Sequence, residues 1–268
     1  MQILRFDLRK EPTEHGFMPW LEVFLIDKFW DAKRPMVIIC PGGGYAHVCA
    51  DREGERIALN YNAAGYHAAV VHYSIAPHKA PNPIKEVAES FRIVRSHAEE
   101  WQLMPDKIAV CGFSAGGHLA ASISSMWNCP ELFSKEEIEN RLHRPDASIL
   151  CYPVIAPWGH KGSFDNLVGD DEALREFYST EKQVDENTPP AFFFHTFEDR
   201  EVPLENSLAY AAALRKYDIP YEMHIYPRGI HGLTLVSDEY IWSKKMFQRD
   251  YAWIKLSIDF LNELFEIV

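Results

Sequence analysis

The sequence lacks any run of apolar residues long enough to cross a membrane, although 47% of its 268 residues are hydrophobic. Its first residues also lack the charged segment and the apolar segment that together make a secretory signal. The five cysteines are odd in number and form no C-x-x-C pair, which argues against a disulfide framework and a zinc site. We therefore expect a cytoplasmic protein with no membrane partner and no bound metal.

Basic residues are in the minority, since 27 Lys and Arg against 39 Asp and Glu give a net charge of -12. No block of Lys and Arg interleaves with aromatic side chains, and a negative field repels phosphate backbones. We therefore expect no nucleic-acid partner. Because no G-K-[ST] motif and no suitably placed G-x-G-x-x-G motif occurs, we predict no nucleotide and no other cofactor. The sequence leaves open whether the chain forms a homo-oligomer.

The sequence does contain an alternation of strand-like and helical segments. Runs rich in β-branched and aromatic residues predict strands, and apolar residues at steps of three and four predict helices. The predicted strands are residues 20–26, 36–40, 67–73, 108–112, 148–152, 191–195 and 221–226, and the predicted helices are residues 52–64, 83–101, 115–127, 203–216 and 239–265. The alternation predicts a three-layer α/β/α sandwich with a mostly parallel sheet, and it leaves an antiparallel start open.

Residues 153–190 interrupt this alternation. The segment contains Trp158 and many acidic residues, shows no strong period, and is longer than an ordinary connection. We interpret it as a small cap, or lid, over the carboxyl edge of the sheet. The cap is an insertion in one α/β domain that spans residues 1–268.

The motif Gly-Phe-Ser-Ala-Gly at residues 112–116 follows a predicted strand and opens a predicted helix. A nucleophilic serine on a strained strand-to-helix turn requires this setting. Glycines two positions before and after the serine let the strand and helix backbones approach each other closely. The motif therefore predicts an α/β-hydrolase fold with Ser114 as the nucleophile.

A serine hydroxyl needs a base to remove its proton, and in this fold the chain order is serine, acid, histidine. His231 suits the base because it lies in a glycine-flanked loop after the last predicted strand. His224 lies within that strand, and His118 lies on the helix after the nucleophile, where a structural hydrogen bond is the expected role.

The acid that orients the base is expected after the strand at residues 191–195, because functional side chains collect at the carboxyl ends of parallel strands. We prefer Asp199 there, with Glu198 as the second choice and Glu201 as a further competitor. A carboxylate at this place holds the imidazole in the required tautomer and stabilises the imidazolium ion.

A tetrahedral intermediate needs backbone N–H donors around its oxyanion. The motif Pro-Gly-Gly-Gly-Tyr at residues 41–45 directly follows a predicted strand, where the fold places part of this oxyanion hole. Without Cβ atoms, Gly43 and Gly44 can turn their amides inward. The third donor is the N–H of Ala115, which follows the nucleophile.

With these segments in view, the chain resembles the bacterial acetyl esterase branch of the α/β-hydrolases, often described as acetyl xylan esterase-like. The matching segments are residues 41–45, 64–66, 112–121, 188–190, 199–203, 205–207 and 227–232, in the family's order. The resemblance implies the same nucleophile, acid and base, and the same three oxyanion amides. Related lipases and formamidases begin the oxyanion loop with His-Gly-Gly, whereas this chain has Pro41, which favours the sugar esterases over an arylformamidase.

The resemblance implies a serine carboxylesterase that acts on short acyl esters, acetyl above all, of a carbohydrate or similar small molecule. Tyr45 and Trp158 are expected to shape the substrate pocket. An amidase, arylformamidase or peptidase of the same fold is the alternative hypothesis. A non-catalytic binding protein is a third, disfavoured because each catalytic position holds a competent residue.

Overall fold

The computed structural model describes residues 1–27, 32–235 and 252–267. Within these ranges the chain forms eight strands, nine α-helices and one 3-10 turn. The strands are β1 (Gln2–Asp7), β2 (Trp20–Leu25), β3 (Arg34–Cys40), β4 (His67–His72), β5 (Leu103–Phe113), β6 (Ala147–Cys151), β7 (Ala191–Thr196) and β8 (Tyr221–Tyr226). The helices are α1 (Ala50–Glu53), α2 (Glu55–Ala63), α3 (Asn82–Ser96), α4 (Ala115–Met126), α5 (Lys135–Asn140), α6 (Lys161–Leu167), α7 (Glu172–Phe177), α8 (Glu205–Lys216) and α9 (Trp253–Leu264), and the 3-10 turn is Thr180–Lys182.

All eight described strands form one sheet in the order β1-β2-β4-β3-β5-β6-β7-β8. Strand β2 runs antiparallel to both of its neighbours, β1 and β4, and the other described pairings are parallel. The predicted fold class, a three-layer α/β/α sandwich with a mostly parallel sheet, is confirmed. The parallel strands end at one edge of the sheet, so the loops after β3, β5 and β7 meet there.

Both faces of the sheet are covered by helices, as the alternation along β3 illustrates. Met36 and Ile38 belong to the apolar cluster that includes side chains of α3, α4 and α8. Val37 and Ile39 belong to the cluster that includes side chains of α2 and α9. Successive side chains of a strand point to opposite faces, so a strand buried on both faces is apolar at every position.

The predicted helix at residues 52–64 is two helices in the structure, α1 and α2, which meet at Gly54. A Cβ atom at Gly54 would lie 2.5 Å from the carbonyl oxygen of Ala50, so only glycine fits this junction. The helix predicted at residues 239–265 is described only as α9, because residues 236–251 lie outside the described ranges.

The predicted cap, residues 153–190, contains α6, α7 and the 3-10 turn. Within this segment, the side chain of Asn166 donates a hydrogen bond of 2.8 Å to the carbonyl oxygen of Gly44. The carbonyl oxygen of Tyr178, in the same segment, lies 2.8 Å from Nε2 of His118 on α4. The segment is therefore tied to the loop after β3 and to the helix after β5. Its role as a cap over the carboxyl edge of the sheet stays a prediction.

Candidate active site

Ser114 lies at the turn between β5 and α4 in a conformation that non-glycine residues rarely adopt, with φ of 54° and ψ of -118°. The flanking glycines permit this turn. A Cβ atom at Gly112 would lie 2.2 Å from the carbonyl oxygen of Gly116, and one at Gly116 would lie 2.1 Å from that of Cys40. Strands β3 and β5 and helix α4 thus approach too closely for any side chain at these positions. Strain of this kind is typical of functional sites.

A chain of two hydrogen bonds links Ser114 to two residues from distant loops. Ser114 Oγ lies 2.8 Å from Nε2 of His231, and Nδ1 of His231 lies 2.6 Å from Oδ2 of Asp199. Because an ionised carboxylate only accepts, the Nδ1 proton points to Asp199, and Nε2 accepts from the serine hydroxyl. The structure therefore brings together the three side chains predicted as nucleophile, base and acid. In this arrangement the imidazole can take the serine proton.

Asp199 is almost completely buried and is surrounded by donors. Although burial opposes its ionisation, the imidazole of His195 at 3.6 Å and the hydrogen bonds from His231 and from the backbone N–H of Val202 outweigh that cost and hold the pKa of Asp199 below its ordinary value. Its Oδ1 accepts the N–H groups of Glu201 and Val202, each at 3.0 Å. The carboxylate is therefore ionised at neutral pH and has one oxygen free for the imidazole.

The rival candidates occupy other places. Oε2 of Glu198 accepts the N–H of Gly229 at 3.4 Å, and Glu201 lines the cavity in front of Ser114. His224 pairs with Glu222 of the same strand at 2.5 Å. Of the three carboxylates considered, Asp199 is the one bonded to His231.

The loop after β3 has its peptide groups fixed by their carbonyl oxygens. The carbonyl of Gly42 accepts from the N–H of Cys49 at 3.0 Å, and that of Gly43 accepts from the N–H of Ala46 at 3.0 Å. Because a trans peptide points its N–H away from its C=O, the amides of Gly43 and Gly44 face away from these partners. Within the described residues neither of these amides, nor that of Ala115, donates a hydrogen bond. All three remain available to a ligand.

A cavity of about 470 Å³ opens in front of Ser114. Its wall contains Gly43, Gly44 and His231, together with small residues from the loops around them. Its other side chains are mostly polar, and they are His47, Cys49, Arg52, Glu53, His160, Asn166 and Glu201. The space accommodates a small polar molecule close to the serine hydroxyl.

The two residues predicted to shape the pocket do not line this cavity. Tyr45 is buried, and its hydroxyl lies 2.8 Å from Nδ1 of His118. The backbone of Tyr45 has a φ of 57°, which turns the ring into the core. Trp158 is 55% exposed and lies outside the lining residues. The expectation for both residues is therefore corrected, because loop conformation and not sequence position decides which side chains face the serine.

Several side chains of the cavity wall were not predicted from the sequence. Arg52 and Glu53 end α1, the first helix after the oxyanion loop, and such a position is normally a solvated helix terminus. His160 and Asn166 come from the cap, whose loop and short helix α6 show no strong period. The one available signal was that all four lie in the connections that follow β3 and β6, which leave the carboxyl edge of the sheet.

His118 has the structural role that its position on α4 predicted. Its Nε2 donates to the carbonyl of Tyr178, so its Nδ1 accepts from the hydroxyl of Tyr45. Burial lowers the pKa of His118 to about 4. A neutral imidazole thus joins the oxyanion loop, α4 and the cap.

We expect His118 to make the stability of the protein depend on pH. The unfolded chain takes up this proton near pH 6.5 but the native state only near pH 4, so the free energy of unfolding falls as the pH is lowered through this window. The loss is about 3 kcal/mol for this one site. Urea unfolding at pH 7 and pH 4 measures it, and the drop should be smaller in His118→Gln. The exposed His15→Gln is the control. An equal drop in His118→Gln and the wild type would contradict the assignment.

Among the residues that the structure describes, no group of three or more His, Cys, Asp and Glu side chains is placed to hold a metal ion. In the same ranges, no helix has the length and apolar character needed to span a bilayer. A mostly parallel sheet with a serine at a strand-to-helix turn, followed in chain order by an acid and a histidine, defines the α/β-hydrolase class.

Comparison with known proteins agrees with this class. The family model BD-FAE matches residues 21–150. The chain is 37% identical over 244 residues to the endo-1,4-beta-xylanase B of Butyrivibrio fibrisolvens, and 36% identical over 205 residues to an acetylxylan esterase of Xylanibacter ruminicola. These alignments cover 86% and 73% of this chain but 37% and 40% of the two relatives. The chain thus spans about two fifths of the length of these curated relatives.

A solved structure matches over almost its full length. The acetyl ester-xyloside bifunctional hydrolase of Caldicellulosiruptor lactoaceticus is 34% identical, with a TM-score of 0.84 over 99% of this chain and 97% of that one. The chain therefore belongs to the α/β-hydrolases, in the acetyl esterase branch that its motifs resemble.

Proposed function

We propose that this chain is a serine carboxylesterase that hydrolyses short acyl esters, acetyl esters above all, of carbohydrates or similar small molecules. The observation that carries the proposal is the hydrogen-bonded chain from Ser114 through His231 to Asp199, beside a polar cavity. The names of two similar proteins, an acetylxylan esterase and an acetyl ester-xyloside hydrolase, support an acetylated saccharide as the substrate.

In the first half of the reaction, Oγ of Ser114 forms a bond to the acyl carbon while Nε2 of His231 takes the hydroxyl proton. The tetrahedral intermediate then breaks its bond to the leaving oxygen, which receives that proton from the imidazolium and departs as the alcohol. In the second half, water loses a proton to His231 as its oxygen bonds the acyl carbon of the acyl-enzyme. The bond from that carbon to Oγ of Ser114 then breaks, the imidazolium returns its proton to Oγ, and the carboxylic acid leaves. Asp199 keeps the imidazole in its tautomer throughout.

The amides of Gly43, Gly44 and Ala115 are the donors that we assign to the oxyanion. Their freedom from internal hydrogen bonds supports this assignment, because donors that are already aligned need no reorganisation when charge develops. Removing one such donor from a serine hydrolase commonly costs about a hundredfold to a thousandfold in kcat.

The cavity wall supports a polar leaving group. Asn166, Arg52 and Glu201 can exchange hydrogen bonds with hydroxyl groups, and the wall has few apolar side chains against which a long alkyl chain could pack. A lipase would instead gain about 0.8 kcal/mol for each methylene buried in an apolar trough. The composition of the wall therefore favours a saccharide ester over a lipid ester.

We expect kcat/KM to be highest for acetyl or propionyl esters and to fall by octanoyl, because few of the described side chains of the cavity wall are apolar and could pack against a longer acyl chain. Nitrophenyl acetate, butyrate and octanoate measure this dependence on chain length. A rate that climbs steadily from acetate to octanoate would overturn the short-acyl assignment and indicate a lipase.

The saccharide assignment is tested in the same panel with acetylated xylo-oligosaccharides and N-formylkynurenine. We expect acetate release from the oligosaccharides and little reaction with N-formylkynurenine, with the Ser114→Ala protein as the blank. Preferential hydrolysis of N-formylkynurenine would favour the arylformamidase alternative.

A further inference from the structure

Glu53 is a buried carboxylate directly behind the oxyanion loop. Its Oε2 accepts the backbone N–H of Gly42 at 2.6 Å, and its Oε1 accepts the hydroxyl of Tyr152 at 3.0 Å. The residue is only 2% exposed, and neither of these partners is a cation. Burying a carboxylate is costly in free energy, so the presence of Glu53 at this buried position needs an explanation.

The first bond joins Glu53 to the loop at its closest approach to the nucleophile. A Cβ atom at Gly42 would lie 2.8 Å from Oε2 of Glu53 and 3.0 Å from Cβ of Ser114. Gly42 is therefore held between the carboxylate and the serine. Since peptide groups are planar, this bond fixes the Pro41–Gly42 peptide. The next peptide, which carries the amide of Gly43, is held by the hydrogen bond of 3.0 Å from the N–H of Cys49 to the carbonyl of Gly42, so the two bonds together hold the start of the oxyanion loop.

The second bond reaches the other half of the site. The ring of Tyr152 lies against the imidazole of His231, with 5.1 Å between the ring centres and an angle of 72° between the planes. The same ring packs on Phe113, the residue before the nucleophile. A hydrogen bond that fixes the hydroxyl of Tyr152 therefore also fixes the surface on which the imidazole rests.

We propose that Glu53 is a positioning residue that holds the oxyanion loop and the base in register through Gly42 and Tyr152, and whose negative charge stabilises the imidazolium of His231. The proposal rests on the esterase function proposed above. Glu53 would act through its two partners and not on the substrate directly.

The negative charge of Glu53 is expected to favour the protonated form of His231. Burial raises the pKa of Glu53, while the hydrogen bonds from Gly42 and Tyr152 and the charges of Arg52 and His231 oppose that rise. In the described part of the chain, the titratable groups around His231 are Asp199, Tyr152, Glu53, His160, Arg52 and Glu201. Removing one negative charge from this set favours the neutral imidazole.

The test compares Glu53→Gln with a matched control, Glu86→Gln, on nitrophenyl acetate. Glu86 is also buried and also accepts one backbone N–H and one hydroxyl, both from Ser74. It differs in having the guanidinium of Arg9 at 3.6 Å from its Oε1, and it is not part of the cavity wall. For Glu53→Gln we expect kcat to fall about tenfold to a hundredfold with KM within about threefold, because loop and base are misplaced. The acid limb of the kcat/KM profile should move to lower pH by about half a unit or more.

For Glu86→Gln we expect a lower Tm but an unchanged kcat and an unchanged pH profile. A Glu53→Gln protein with the wild-type kcat and pH profile would overturn the proposal, and so would equal effects of the two variants on kcat. If Glu53→Gln does not fold, Tyr152→Phe takes its place, with kcat expected to fall about fivefold at constant KM. An unchanged kcat in Tyr152→Phe would then refute the link to the base.

Failure of this proposal differs from failure of the proposed function. A wild-type protein that cleaves no acetyl ester contradicts the esterase assignment itself. An active wild type whose Glu53 variants behave like the Glu86 control contradicts only the role of Glu53.

Discussion

Replacing Ser114 with alanine is expected to lower kcat for nitrophenyl acetate by about a millionfold, the usual cost of losing the nucleophile of such a triad. The hydroxyl is the proposed covalent acceptor, and its Oγ is the atom bonded to His231. The fold should persist, because the alanine keeps the Cβ atom and the turn is held by the close packing at Gly112 and Gly116. Circular dichroism and Tm check the fold, and acetate release checks the activity.

A buried serine on the same helix provides the control. Ser124 donates its hydroxyl to the carbonyl of Ala120 at 2.8 Å. It lies ten positions after Ser114, near the other end of α4. Ser124→Ala should therefore keep a wild-type kcat. Activity of the Ser114→Ala protein within tenfold of the wild type would place the chemistry on another residue.

The second large effect is expected for Asp199→Asn, which should lower kcat by about ten thousandfold. An asparagine amide at the position of Oδ2 would donate to Nδ1 of His231, so the imidazole proton would move to Nε2, which could then no longer accept from Ser114. The remaining amide oxygen can still accept the N–H groups that Oδ1 holds, so the loop should keep its structure. Steady-state kinetics at pH 7 measures the loss.

Glu198→Gln is the matched comparison, since Glu198 was the second candidate from the sequence and contacts the backbone of Gly229, two residues before the base. We expect its kcat to stay within about threefold of the wild type, because a neutral amide can still accept that single N–H. The reverse result, a severe loss in Glu198→Gln with a mild one in Asp199→Asn, would exchange the roles of the two residues.

The sheet was predictable to the extent that its strands are buried on both faces. Six strands, β2 to β7, carry continuous or nearly continuous apolar patterns where they are buried, and all six were predicted. Strand β8 was predicted from its aromatic residues, although it contains Glu222 and His224 and is at most half-buried. Strand β1 was missed because its residues are mostly exposed and alternate with charged side chains. It pairs with β2 at one edge of the described sheet, and an exposed edge strand shows little of the apolar pattern by which a buried strand is recognised.

The candidate site divides in the same way. Ser114 and the glycines around it were identifiable because a turn this tight excludes every residue with a side chain at two positions. The direction of Tyr45 was not, because a single backbone angle in a glycine-rich loop turned its ring towards His118 and away from the cavity. The role of Glu53 was not predictable from the sequence either, because no neighbouring residue distinguishes a buried carboxylate from a solvated one at a helix terminus.

The sequence by itself determined the class of the fold, the chain order of the candidate nucleophile, acid and base, and the loop to which we assign the oxyanion amides. Each of these depends on local backbone geometry or on the period of apolar residues, and both are decided by residues close together in the sequence. The tertiary structure alone decided which of three nearby carboxylates meets His231, and which side chains line the cavity. It also decided that Glu53 bonds both Gly42 and Tyr152, which lie 110 positions apart in the chain. Such contacts depend on how distant loops converge at the edge of the sheet, which only the packed layers fix.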